Sequence, residues 1–284
     1  MPNDPLEERS SGNALFDGIA DAGAVTMEAV VSLGEFSLFV WRTMLWLTTR
    51  WPRRETLLPN FYQVGVLSLP VIALTGTFIG MVMAVQSYFQ FHQFRLETLL
   101  GSIINMTLVR ELGPVLAATM LAGRVGSAMA AELGTMRVTE QIDALDSMGA
   151  NPIHYLVVPR FIACLSMIPT LTIMANFMGV SGGYFYSVVI LGIDRLHYWQ
   201  NAAQFVGVWD VFTGVFKSLF FGATIALISC HRGFQCSPGA EGVGRAATSS
   251  FVYSFVIILI LDLGLNIILD AVYFAIWSEG TKLL

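Results

Sequence analysis

Charged residues are scarce in this chain. Asp, Glu, Lys and Arg make up 12% of its 284 residues, whereas hydrophobic residues make up 55%. Soluble globular domains carry roughly 25% charged residues. A water-facing surface is therefore excluded for most of the chain, and no long polar stretch is present to form a separate soluble domain. The composition predicts one integral membrane domain.

Other absences narrow the function further. The formal net charge is −5, and a nucleic-acid partner is not expected because no basic stripe is available to neutralise phosphates. Only three cysteines occur, and their spacing gives no disulfide framework. A metal or redox pair at Cys230 and Cys236 is less favoured than simple packing at a helix end. The polar, acidic N-terminus lacks the features of a secretory signal.

Nucleotide-binding motifs are also missing. No G-x-x-x-x-G-K-[ST] phosphate loop is present, and Lys217–Ser218 lacks the glycine that should precede such an ending. The glycines at 239, 242 and 244 do not follow a strand, so a dinucleotide site is not expected. Nothing resembles a nucleophile with its base or a dense metal-ligand cluster. We expect no cofactor, no enzyme active site, and ATP hydrolysis, if used, by a partner chain.

Five apolar segments have the roughly 20-residue length that a spanning helix requires. The sequence predicts an all-α integral membrane protein whose spans cover about 62–90, 103–133, 154–183, 209–230 and 248–276.

An earlier apolar run, residues 33–51, has a different character. It is short, carries Arg42 at its centre and contains three tryptophans. Tryptophan and arginine favour the headgroup layer, so we expect a helix lying in the membrane interface, with residues 1–32 as a cytoplasmic tail. A sixth span is the alternative.

The distribution of basic residues predicts the orientation. With an interfacial first helix, one side collects Arg50, Arg53, Arg54, Arg137, Arg160, Arg232 and Arg245. The other side receives only Arg95, Arg195, Lys217 and Lys282. Because Lys and Arg are retained in the cytosol, the N-terminus is expected to be cytoplasmic and the C-terminus outside.

The loop between the second and third spans, residues 136–160, has the pattern of a short amphipathic helix. Thr139 is a candidate cap, with Gly149 and Pro152 as a stop. Apolar Ile142, Leu145 and Met148 alternate with an acidic stripe of Glu140, Asp143 and Asp146. Acidic residues are unfavourable against anionic lipid, so docking into a groove of another protein is favoured over lying on the membrane.

Three stretches together resemble the MlaE family of permeases, the membrane subunits of MCE-type lipid ABC transporters. They are RELGPVLAATMLAGRVGSAMAAELGTMRVTEQIDALDSMG at 110–149, PR at 159–160 and PGAEGVGRA at 238–246. The resemblance runs from about Pro59 to Phe274. It implies that residues 137–149, including Arg137, form a coupling helix that enters a cleft of a cytoplasmic ATPase.

The same resemblance implies the partners. They are a second copy of the chain, a cytoplasmic ABC ATPase subunit, a periplasmic MCE-domain protein and membrane phospholipid as the cargo. A small cytoplasmic protein associated with the ATPase is an open addition. The implied location is the bacterial inner membrane.

Two groups of residues are candidates for the lipid pathway. Arg110 and Glu111 lie deep in the second span, with Leu112 beside them, and a guanidinium there suits a lipid phosphate. A salt bridge to another span is the equal alternative. Because adjacent helical residues point about 100° apart, Arg110 and Glu111 are not expected to pair. In the first span one stripe contains Met83, Ser87, Gln90, Phe91 and Phe94. It is a candidate lining for acyl chains, and ordinary core packing is the alternative for each of these residues.

Asp262, Asn266 and Asp270 form a polar stripe on the fifth span. Partnering with Arg110, Arg124 or backbone is favoured over a proton relay. An ion- or proton-coupled secondary transporter using Asp262 and Asp270 nevertheless remains the main alternative function, and a non-transporting membrane scaffold is a third.

Overall fold

The computed structural model describes residues 10–49, 51–94 and 99–276. Within these residues the chain is helical and contains no strand. It divides into two compact units, Met1–Thr49 and Arg50–Leu284. The prediction of an all-α membrane protein is confirmed.

The first unit contains one helix, α1, Ser10–Thr49. It begins inside the region predicted as a tail, and its Val30–Thr49 portion is long and apolar enough to cross a membrane. Trp41 is exposed, as expected for contact with lipid or headgroups. The interfacial placement of this helix stays a prediction.

The second unit contains ten further α-helices among the described residues. They are α2 Arg54–Val64, α3 Leu69–Gln93, α4 Leu100–Thr107, α5 Gly113–Leu121, α6 Ser127–Val138, α7 Gln141–Ser147, α8 Val158–Tyr184, α9 Arg195–Phe205, α10 Val208–Phe234 and α11 Ala240–Ile276. Short π-helical turns join or extend several of them, at Leu108–Leu112, Ala122–Gly126, Ile153–Val157 and Phe185–Ile190.

Each of the five predicted spans lies within a continuous helical stretch that can cross a membrane. These stretches are Arg54–Gln93, Leu100–Val138, Ile153–Ile190, Val208–Phe234 and Ala240–Ala275. The first four extend beyond the predicted bounds at both ends, whereas the fifth begins earlier, at Ala240, and ends within one residue of the predicted bound.

Glycine permits the closest helix contact in this unit, between α3 and α8. A methyl group on Gly76 would lie 2.8 Å from the carbonyl oxygen of Ala175, and one on Gly80 would collide with the backbone of Gly179. The contacts advance in the same direction along both helices, so α3 and α8 run parallel. Small residues allow this approach in lipid, where van der Waals packing replaces the hydrophobic effect.

Candidate functional site

Pro114 shapes the helix that supplies the central residues of the site. Its ring has no N–H and would clash with the carbonyl four residues earlier, that of Arg110. The chain avoids this clash through the π turn Leu108–Leu112, in which the amide of Gly113 donates to the carbonyl of Leu108. The Asn176 side chain, from α8, donates to the Val109 carbonyl at 3.5 Å.

Two glycines bring neighbouring helices against this π turn. A side chain on Gly113 would collide with the amide oxygen of Asn176, and one on Gly214 would collide with the carbonyl of Val109. Gly214 therefore lets the backbone of α10 approach the turn, with Asp210 one turn before it and Lys217 one turn after. Such widened turns are frequent at functional sites.

Lys217 is the centre of a buried charged network. Its side chain has no exposed surface, and its ammonium lies 2.9 Å from Oε2 of Glu111 and 3.0 Å from Oδ1 of Asp262. The ammonium also donates to the amide oxygen of Asn266 at 2.9 Å, and the Asn266 amide donates to Glu111 at 2.9 Å. Three helical stretches are thus tied together by one cation.

Arg110 lies beside this cluster and faces several carboxylates. It forms an ion pair with Asp270, while its guanidinium nitrogens lie 3.7 Å from Oδ1 of Asp210 and 3.6 Å from Oε1 of Glu111. Its side chain keeps 24% of its surface exposed. The expectation that Arg110 and Glu111 do not pair was wrong, because it assumed a regular α-helix where the chain forms a π turn.

Lys217 was predicted only as one of the few basic residues on the outer side, and its burial among acidic partners was not expected. The structure buries it within α10, nine residues after Val208 in the printed sequence. Asp210 was not singled out at all. The available signal was a lysine inside an apolar span, which usually marks a pairing or functional position.

The polar stripe on α11 pairs with side chains of other helices, as was favoured over a proton relay. Asp262 and Asn266 meet Lys217, and Asp270 meets Arg110. These contacts give both carboxylates a structural role. The network lies just after the end of α4, near the beginning of α10 and toward the end of α11, in the half of the unit that adjoins α9.

The predicted stripe on α3 has a different environment. Met83 and Phe91 pack against a buried cluster of Ala84, Leu100 and Ile104. Ser87 is buried, whereas Gln90 and Phe94 are exposed near the end of the helix. The structure therefore brings Arg110, Glu111 and half-buried Leu112 together in one turn, while Met83 and Phe91 contact α4.

The predicted coupling segment contains a shorter helix than expected. Helix α6 continues to Val138, and α7 covers only Gln141–Ser147. Thr139 does not cap it, because its hydroxyl donates back to Thr135 at 2.9 Å. Glu140 instead occupies the N-cap position with a left-handed φ of 60°. The expected stop is present at Gly149, whose φ is 75°.

Most of the coupling segment faces outward. Ile142 is buried and Leu145 is half-buried, whereas Glu140, Asp146, Met148 and Gly149 are exposed. Arg137 forms an exposed ion pair with Asp143. The exposed surface of α7 thus presents carboxylates, and an exposed methionine follows at its C-cap.

Helix α9 covers the beginning of α4 at the other end of the unit. Asp194 caps it by accepting from the Leu196 amide at 3.0 Å and pairs with His197. The Leu196 hydrogen bond, followed by His197, lowers the pKa of Asp194 below its ordinary value. Tyr198 is buried against Gly101, and this burial raises its pKa to about 12.

These features define a class of protein: a helical membrane protein with a paired charge network inside its spans and a short exposed helix between two of them. The Permease MlaE family model matches residues 57–268. The chain belongs to the MlaE permease family, whose members are permease components of ABC transporters.

Relatives agree with this assignment. A probable ABC transporter permease protein of Rickettsia conorii is 41% identical over 87% of the chain and 95% of its own length. A probable ABC transporter permease of Synechocystis is 44% identical over 75% of the chain and 81% of its own length. The intermembrane phospholipid transport system permease protein MlaE of Haemophilus influenzae is 37% identical over 77% of the chain and 82% of its own length.

Proposed function

We propose that this chain is the permease subunit of an ATP-driven phospholipid transporter that acts as a homodimer. It exchanges lipid between the inner membrane and a periplasmic MCE-domain protein. Family membership supports the permease role, and the name of the Haemophilus relative supports phospholipid as the cargo. ATP is hydrolysed by a separate cytoplasmic ABC subunit, with or without a small associated protein.

The observation on which the proposal rests is the exposed surface of α7. A helix of seven residues does not stay folded in water alone, and here it is held by Ile142, which is buried, and by the Arg137–Asp143 pair. Its remaining face offers acidic groups and Met148 to a groove in another protein. Docking of the ATPase on residues 137–149 would let nucleotide-driven closure move α6 and α8.

The charge distribution supports a cytoplasmic location for α7. In the described residues, the end with α7 also carries exposed Arg53, Arg54 and Arg245, whereas the opposite end carries Arg195. Retention of basic residues in the cytosol therefore supports our proposal of a cytoplasmic N-terminus and a periplasmic C-terminus.

For the lipid pathway we propose the outer half of the unit. Arg110 is partly exposed and paired with Asp270, so a lipid phosphate can compete with that carboxylate for the guanidinium. Glu111 and Leu112 lie in the same turn. The α3 stripe of Met83, Ser87, Gln90, Phe91 and Phe94 lies toward the same end, and its Met83, Phe91 and Phe94 side chains are apolar.

The test uses the chain reconstituted in proteoliposomes with its ABC ATPase. Met148→Glu adds a charge to the exposed apolar position of the docking face, and we expect about tenfold less bound ATPase and a matching loss of ATP-dependent lipid transfer. Gln204→Glu, which adds the same charge at an exposed position on α9, is the matched control and should change neither. Normal ATPase binding by Met148→Glu would contradict the docking proposal.

The same vesicles test the proton-coupled alternative that uses Asp262 and Asp270. Transfer that persists after the proton gradient is collapsed, and that stops without ATP, supports the ABC mechanism. Lipid transfer that depends on the proton gradient and does not require ATP would instead support the proton-coupled mechanism.

A further inference from the structure

An ion pair joins α6 and α8, the two helices that flank the proposed coupling segment. Nη2 of Arg160, near the beginning of α8, lies 2.9 Å from Oε1 of Glu132, in the middle of α6. The Arg160 side chain keeps 7% of its surface exposed, whereas that of Glu132 keeps 44%. Both residues lie in stretches that resemble the MlaE family, yet neither belongs to the proposed docking face or to the proposed lipid pathway.

The backbone before Arg160 helps to fix the direction of its side chain. Nη1 donates to the carbonyl of Leu156 at 2.8 Å, and this carbonyl belongs to the π turn Ile153–Val157. One terminal nitrogen of the guanidinium is thus held by its own helical stretch and the other by α6. Among the described residues, Glu132 is the only carboxylate paired with Arg160. Because the guanidinium is buried, loss of this partner would leave an uncompensated charge.

Helix α10 packs against both α6 and α8, and glycine permits both contacts. A methyl group on Gly222 would lie 2.8 Å from the carbonyl oxygen of Cys164 in α8. One on Gly233 would lie 2.6 Å from Cβ of Leu133 in α6. Two sides of this three-helix group are therefore close helix contacts of the kind that small residues allow, and the ion pair closes the third side.

The coupling segment is attached to the same group at both of its ends. Helix α7 packs on α6. At the other end, the Asn151 side chain accepts from the amides of Ile153 and His154, at 3.0 and 3.3 Å, and so caps the turn that leads into α8. A force on α7 therefore reaches α6 and the beginning of α8. The ion pair joins these two helices directly, close to the point where that force enters.

We propose that Arg160 and Glu132 are positioning residues that make α6 and α8 move together when an ATPase displaces α7. The inference rests on the proposed permease function and adds the link through which the displacement reaches the spans. Neither residue contacts nucleotide or lipid in this role. When the pair is broken, the ATPase still docks and hydrolyses ATP, but less of its conformational change is passed on to the spans.

The experiment measures lipid transferred and ATP hydrolysed in the same proteoliposomes, which contain the chain with its ABC ATPase. Glu132→Gln removes the charge of the half-exposed partner, so the fold is expected to tolerate it. ATPase binding should stay unchanged, and the lipid transferred per ATP should fall about tenfold, within the usual range of coupling between two sites. Loss of folded protein alone does not change this ratio, because transfer and hydrolysis then fall together.

Two further variants serve as controls. Glu241→Gln removes the same charge from an exposed position at the beginning of α11 and should leave the ratio unchanged. Arg160→Met breaks the pair from the other side and should lower the ratio as Glu132→Gln does. Because both changes remove one interaction, the double variant should be no worse than either single variant.

The alternative outcomes separate this proposal from the permease function. With normal transfer by the unchanged chain, an unchanged ratio in Glu132→Gln overturns the role of the ion pair alone. A parallel fall of transfer and hydrolysis would assign the pair to folding, and weaker ATPase binding would assign Glu132 to the docking surface. If the unchanged chain transfers no lipid with ATP, the permease function fails and the role of the pair fails with it.

Discussion

Lys217 has an unusual position for a charged side chain, since its ammonium is fully buried in a membrane-spanning helix. Burying a charge in this way costs several kcal/mol per ion unless good geometry and further hydrogen bonds offset it. Glu111, Asp262 and Asn266 supply that compensation at about 3 Å. The three acceptors and the cation therefore depend on one another.

Lys217→Met should destabilise the protein by about 3 kcal/mol, because it leaves two partly buried carboxylates without their cation. The expected fall in melting temperature is roughly 6–12 °C, measured on detergent-solubilised protein. Adding Asp262→Asn to Lys217→Met removes one orphaned charge and should restore part of the loss. A single variant that melts like the unchanged chain would show that the network does not contribute to stability.

Asp194 provides a pH-dependent contact outside the spans. Its pKa is lowered by the Leu196 amide and by His197, so the carboxylate form stabilises the cap. This stabilisation is complete above the ordinary aspartate pKa of about 4 and is lost as pH falls through the lower folded value. We expect hydrogen exchange at the amide of Leu196 to lose protection in that acid range.

The Asp194→Asn variant is the control for this pH effect. Its side-chain oxygen still accepts from the helix start, but it does not titrate. The acid-dependent loss of protection should therefore disappear. An identical pH profile in the variant would assign the effect to another group.

At the scale of elements, the helices were predictable because their apolar length is visible in the sequence. The contacts between the helices were harder to predict from the sequence. The π turn before Pro114, which brings Arg110 and Glu111 together, packs against Asn176 and Gly214 from other helices, and these contacts cannot be read from the sequence of the turn. Lys217 lies inside the predicted span 209–230, but its burial could not be predicted because its partners Glu111 and Asp262 lie on other helices.

The α3–α8 contact yields a prediction about glycine. Gly80→Ala places a methyl group against the backbone of Gly179, which cannot move aside as a side chain can. We expect a loss of about 1–3 kcal/mol, the typical cost of overpacking, measured by thermal melting. Gly123→Ala is the matched control, because a methyl there lies 3.5 Å from the Phe251 ring. Equal effects of the two changes would argue against a backbone contact.

At the scale of the whole molecule, the helices alternate in direction, so α7 and α9 lie at opposite ends of the second unit. In a background lacking the native cysteines, a thiol at Ser147 should be labelled only from the cytosol. One at Gln204 should be labelled only from the periplasm. Both positions are exposed, and impermeant maleimide labelling of intact cells measures them. The reverse pattern would invert the proposed orientation and remove α7 from reach of a cytosolic ATPase.

The glycine contact between α3 and α8 also limits how this permease can move. Where two backbones touch without intervening side chains, a small axial displacement pushes carbonyls into Cα atoms. Helices α3 and α8 should therefore move together as one rigid body during the transport cycle. Helix movements that open and close the lipid pathway must then occur at contacts made by long side chains. Arg110 and Lys217 are such side chains, and they can exchange partners as the helices separate.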